Sequence, residues 1–240
     1  MLTMMARNRS GAPGACAGLK VIELGQGMAG SMPGMILADN GADVVKIEPP
    51  GGDWSRDQPG WRMWNRGKGS VVLDLHRPEQ RQQAARLAAG ADVVVESFRP
   101  GTADRLGMGW DHLRALNPRL VYCSISGFGP ALAYADLSGD EGVVAAVSGH
   151  MVGLDVLSGA VPAQDRRAPI FTSVPIASFA AAQLATQGIL AALVARTESG
   201  CGDRVSTSLV QGLAAILMRQ EMARGGRETA QAATPSGAPR

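Results

Sequence analysis

The chain has 240 residues, 45% hydrophobic and 18% charged, which excludes disorder over most of its length and supplies enough apolar surface for one large core. A net charge of +2 and an aromatic content of 4% exclude the basic, stacking surfaces that bind nucleic acid or an anionic membrane. Cys16, Cys123 and Cys201 lie far apart with no C-x-x-C spacing, so they predict no structural metal and a reducing, cytoplasmic compartment.

Residues 1–17 carry Arg7 and Arg9 but no apolar centre, and read as a loose leader rather than a secretory signal. Residues 19–24 read as a strand. The turn Gly25-Gln26-Gly27-Met28-Ala29-Gly30, a helix and a second strand at 43–48 follow. That strand ends in Glu48, 18 residues after Gly30. This is the layout of a dinucleotide-binding fingerprint, and taken alone it admits an NAD-dependent oxidoreductase.

Further strands are expected at 70–75, 91–96 and 120–125. A helix is expected at 76–89, with Pro78 in its first turn and Gly90 at its end, and a short one near 110–116. Residues 130–173 are irregular in pattern. Residues 175–196 read as a long, nearly all-apolar helix, without an uninterrupted apolar run of membrane-spanning length. A last strand at 204–208, a last helix at 209–223 and a disordered tail at 224–240 complete the chain. Apolar, β-branched strands alternating with helices predict an α/β fold: a Rossmann-like, mostly parallel sheet with helices on both faces.

In such a sheet ligands bind beyond the carboxyl ends of the strands. Four turns occupy those places, at 25–30, 49–53, 97–101 and 126–130, each rich in small residues. Arg99, Arg105 and Lys68 are candidate cations for phosphate groups. Together these features point to a phosphate-bearing nucleotide ligand.

The segments Gly18-Leu-Lys-Val-Ile-Glu-Leu and Gly41-Ala-Asp-Val-Val-Lys-Ile-Glu-Pro-Pro-Gly-Gly-Asp resemble the start of a class III (CaiB/BaiF-type) CoA-transferase. Asn65-Arg-Gly-Lys-Gly-Ser-Val-Val-Leu-Asp-Leu, Ala91-Asp-Val-Val-Val-Glu-Ser-Phe-Arg-Pro-Gly, Leu106-Gly-Met-Gly-Trp and Ser124-Ile-Ser-Gly-Phe-Gly-Pro continue the series in order. The similarity runs from about residue 18 to 223, in a family that also includes 2-methylacyl-CoA racemases. It implies a sheet domain that binds coenzyme A rather than NAD, with CoA thioester and carboxylic acid as substrates and no covalently bound cofactor or metal. It also implies an interlocked homodimer, or a complementing second chain, and a second smaller domain that this chain is expected to lack. CoA contacts carried over by position are Met28, Ala29, Leu73, His76, Ser97, Phe98, Arg99, Arg105, Ser126 and Phe128. For Met28, Leu73 and Phe98, core packing is the alternative.

In transferases of this family an aspartate attacks the thioester and forms a mixed anhydride. The matching position here, ten residues before Gly188, is Ser178. A serine cannot form an anhydride, so Ser178 is expected either to cap the start of the long helix or to need an activating partner. Glu141 falls on the family's aspartate of a Gly-Tyr-Asp or Gly-His-Asp motif, with Asp140 on the aromatic position. The functional expectation is CoA transfer between carboxylic acids by the complete or partnered protein. The alternative is a catalytically inactive acyl-CoA-binding module or tandem half.

Overall fold

The computed structural model describes residues 14–129, 134–135, 137–153 and 172–216. Six strands form one sheet: β1 (Lys20–Glu23), β2 (Asp43–Glu48), β3 (Gly69–Val72), β4 (Val93–Glu96), β5 (Val121–Ser126) and β6 (Arg204–Ser208). Their order is β3-β2-β1-β4-β5-β6, and every neighbouring pair is parallel. The helices are α1 (Gly27–Asp39), α2 (Trp61–Trp64), α3 (Pro78–Ala89), α4 (Thr102–Arg105), α5 (Trp110–Leu116), α6 (Glu141–Val147), α7 (His150–Gly153) and α8 (Ile176–Ser199). A further helical run covers 209–216.

Alternation along each strand sends successive side chains to opposite faces. Val21, Val44, Val93, Val95, Val121, Cys123 and Ile125 pack with residues of α1, α6, α8 and the 209–216 helix. Ile22, Leu24, Ile47, Val94 and Tyr122 pack with α3 and α5 on the other face. Both faces of the sheet are thus buried, which is why apolar residues follow one another in its central strands, as in the Val93-Val94-Val95 run of β4.

Four buried charges interrupt that apolar pattern, Glu23, Lys46, Glu48 and Glu96, and the first two form a pair. Glu23 of β1 and Lys46 of β2 stand opposite each other in register, 0% and 2% exposed. Lys46 Nζ lies 3.1 Å from Glu23, 3.1 Å from Asp53 and 3.0 Å from Ser31 Oγ, and donates to the Gly25 carbonyl. The lysine therefore pins the turn after β1 to the loop after β2. Lys68, read as a phosphate partner, is instead committed to the same network: its Nζ lies 2.7 Å from both Glu23 and the Ser31 carbonyl. Burial lowers the Lys68 ammonium from its usual value, and the Glu23 charge opposes that shift.

β3 is an edge strand with mostly exposed side chains. It stops at Val72 rather than continuing to residue 75, and Leu73 and Leu75 turn into the core as loop residues. Upstream, the Cys16 N–H donates to the Asn40 carbonyl, and Cys16 is buried. Residues 1–13 and 217–240, which include the predicted tail, lie outside the described residues. α8 has 24 residues and an 18-residue stretch of mean hydropathy 1.5, so it is long and apolar enough by length and composition to cross a bilayer. Here it packs across α1, β5 and β6 and buries a face of small residues, among them Ala177, Ala181, Ala185 and Ile189.

Candidate functional site

Strand order reverses between β1 and β4, so the loops that leave their carboxyl ends diverge and open a crevice. Ser97 bridges its base: its Oγ accepts from the Gln26 N–H at 2.9 Å. A cavity of about 390 Å³ opens there, within the range of small-molecule sites, roughly 300–1,000 Å³. Its wall takes Met28 and Ala29 from α1, Ser97, Phe98 and Arg99 from the loop after β4, and Ser126 from the end of β5. Asp140, Glu141 and Ser178 close the far side. Nine of the residues singled out in the sequence therefore meet in one cleft.

Besides Lys68, held in the Glu23 network, four others lie elsewhere. Leu73 and Phe128 are 5% and 2% exposed and belong to the two core clusters. His76 is exposed on the turn after β3, its N–H bonded to Asp74. Arg105 is exposed on α4, its guanidinium donating to Thr102, and faces an open surface groove with Arg81 and His112.

The glycines of the turn have internal reasons. A Cβ at Gly25 would sit 2.2 Å from the Gly30 carbonyl oxygen, so this turn and the first turn of α1 fit only with bare backbone. Gly27 is buried with φ +64, the left-handed region, and a Cβ there would sit 2.9 Å from the ring of Trp54. Trp54, 65% exposed, and Gln58 also line the cleft and were not found in the sequence. The usable signal was Trp54 itself, a large apolar side chain in the Gly-Gly-Asp-Trp-Ser loop after a strand end.

Glu48 is not free to hold a ribose. Its carboxylate accepts from Arg56 at 2.9 and 2.7 Å, from the Asp53 N–H at 2.9 Å and from Ser70 Oγ at 2.5 Å. Burial would raise this carboxyl, but the Arg56, Ser70 and Asp53 donors and the Arg56 charge outweigh it and hold it below its usual value. The acid at the end of β2 is structural, which removes a required part of the dinucleotide reading.

On the Glu141 side of the cleft, Ser178 is not the cap of α8. The helix begins at Ile176 with Pro175 in the capping position, which places Ser178 at its third residue. The cap comes from α6: Glu141 accepts from the Ala177 N–H at 2.6 Å and the Ser178 N–H at 2.9 Å. A carboxylate at this point satisfies two orphan peptide donors and meets the positive end of the helix dipole. Ser178 Oγ donates to the same carboxylate at 2.7 Å. Asp140 is exposed and takes a hydrogen bond from Ser138. Among the described residues, no group of three or more His, Cys, Asp or Glu side chains is placed to hold a metal ion.

Comparison with known proteins identifies the family. The family model for CoA-transferase family III matches residues 16–239. The chain is 35% identical over 222 residues to the succinate–glutarate CoA-transferase of Agrobacterium fabrum, covering 86% of this chain and 54% of that protein. It is 37% identical over 209 residues to the succinyl-CoA–D-citramalate CoA-transferase of Chloroflexus aurantiacus, covering 83% and 50%. A crystal structure of a CaiB/BaiF family protein from Brucella suis superposes with a TM-score of 0.78 at 32% identity, covering 93% of this chain and 60% of that one. The chain spans about half the length of the curated relatives it matches.

Proposed function

The chain belongs to CoA-transferase family III, and from that premise we propose that its cleft binds coenzyme A or an acyl-CoA thioester. In the complete protein the activity is transfer of CoA between carboxylic acids. The observation that carries the reading is the meeting of Met28, Ala29, Ser97, Phe98, Arg99 and Ser126 with Glu141 and Ser178 around one cavity. Arg99 supplies an exposed cation for a phosphate at the outer end. The first-turn peptide N–H groups of α1, which have no intrahelical acceptor, add polarity of the same sign. Glu141 and Ser178 mark the end where the thioester belongs.

A titration calorimeter tests this. CoA is expected to bind the purified chain, and Arg99→Ala to weaken it about tenfold, ~1.4 kcal/mol. Unchanged affinity in that variant removes Arg99 from the site, and no binding by the parent chain removes the reading.

Pairing with a second copy or a complementing chain is part of the same proposal. Phe179, Leu190 and Val194 on the outer side of α8 are apolar and exposed, which supports it, and light scattering of the purified chain decides it. A cytoplasmic setting also belongs to the proposal, supported by three free cysteines, one of them exposed.

A further inference from the structure

We propose that Ser178 and Glu141 form a nucleophile–base pair that hydrolyses acyl-CoA through an ester on Ser178. The inference rests on the acyl-CoA reading of the cleft and goes beyond transfer. The family's anhydride chemistry needs a carboxylate nucleophile at position 178, and a hydroxyl stands there instead.

A serine hydroxyl is inert at neutral pH unless a base takes its proton. The structure supplies one from a residue 37 positions away: Glu141 Oε2 lies 2.7 Å from Ser178 Oγ. An ionised carboxylate only accepts hydrogen bonds, so this contact commits the hydroxyl proton to Glu141. The Oγ lone pairs are left for an electrophile, and both side chains border the cavity. The Ala177 and Ser178 N–H groups also donate to this carboxylate, at 2.6 and 2.9 Å, and fix its orientation beside Oγ. Both carboxylate oxygens are thereby occupied by donors, which blunts Glu141 as a nucleophile and leaves Oγ as the attacking atom.

The chemistry balances with water as the only co-reactant. Oγ attacks the thioester carbonyl, forming a C–O bond while its proton passes to Glu141. The C–S bond breaks, and Glu141 returns the proton to the leaving thiolate, releasing CoA. Water then attacks the seryl ester while Glu141 takes its proton. The C–Oγ bond breaks, Oγ recovers the proton, and a carboxylic acid leaves. The ester keeps less activation than an anhydride, so its acyl group passes to water more readily than back to a thiol.

The test uses the 240-residue chain with acetyl-CoA and succinyl-CoA as probes, thiol release followed by absorbance, and CoA affinity measured in parallel. The parent chain is expected to release thiol, and Ser178→Ala and Glu141→Gln to lose about a hundredfold or more of that rate while keeping CoA affinity. Ser178→Ala leaves Glu141 its two backbone donors, so the start of α8 stays capped. Acid quenching during turnover is expected to leave an acyl group on the peptide that contains Ser178, a readout no structural role produces. CoA binding without thiol release, or release that survives Ser178→Ala, overturns the inference alone. A hydroxamate on Glu141 after hydroxylamine trapping also overturns it, because it identifies the carboxylate as the nucleophile. Failure to bind CoA removes the cleft reading and this inference together.

Discussion

In the proposed mechanism, position 178 sets which chemistry the cleft performs. Ser178→Asp restores a carboxylate at the family's nucleophile position but sets it beside Glu141, exchanging a 2.7 Å hydrogen bond for like-charge repulsion. The variant is expected to lose roughly 1–3 kcal/mol of stability, read by urea unfolding. It is also expected to transfer CoA from an acyl-CoA to a carboxylic acid where the parent chain does not. Glu48 shows the same logic at a site that does no chemistry. Its folded carboxyl is held below the usual value by Arg56, Ser70 and Asp53, against the effect of burial. The stability this provides is present above the ordinary carboxylate range and is lost as pH falls through the lowered folded value. Glu48→Gln is therefore expected to lower stability by about 1–2 kcal/mol near neutral pH, discounted because Arg56 is partly exposed. In acid the two proteins converge. Thermal unfolding followed across pH checks it, and a constant difference down to strong acid contradicts it.

At the scale of elements, the buried lysine does what no apolar residue could. Lys46 joins β2 to Glu23 of β1, to Asp53 and to the carbonyl of Gly25, so the turn that lines the cleft is tied to the sheet by charge. Lys46→Met leaves Glu23 with Lys68 alone and Asp53 without its cation. Breaking such a buried network costs about 3–5 kcal/mol, measured by denaturant unfolding, and CoA affinity is expected to fall with it as the turn loosens. Much of this element layer was legible. Residues 43–48, 110–116 and 204–208 form their elements at the expected bounds because a glycine- or proline-bearing turn sets off at least one end of each. β3 was overextended because Leu73 and Leu75 are apolar at alternate positions, yet they pack as loop. The Lys46 network was visible only as two charges in apolar strands, and the register that pairs Glu23 with Lys46 is a property of the folded sheet.

For the whole molecule, the sheet order explains how a dinucleotide-like turn is compatible with the proposed CoA ligand. The reversal at β1 and β4 creates the crevice whichever nucleotide enters it. What selects the ligand are the loops, and those were legible in part. Met28, Ala29, Ser97, Phe98, Arg99 and Ser126 converge as the family motifs imply, because each lies within a few residues of a strand end. Leu73 and Phe128 do not reach the cleft, since position along the chain says nothing of which face a loop side chain takes. The Glu141–Ser178 contact joins two helices through tertiary packing, and no local pattern announces it.

We propose that this crevice takes coenzyme A and not a nicotinamide dinucleotide. Calorimetric titration of the same chain with CoA and with NADH tests it most directly. The occupied carboxylate of Glu48 and the motifs around Arg99 predict saturable binding of CoA, weakened in Arg99→Ala, and no measurable heat from NADH. Saturable binding of NADH with none of CoA contradicts the account.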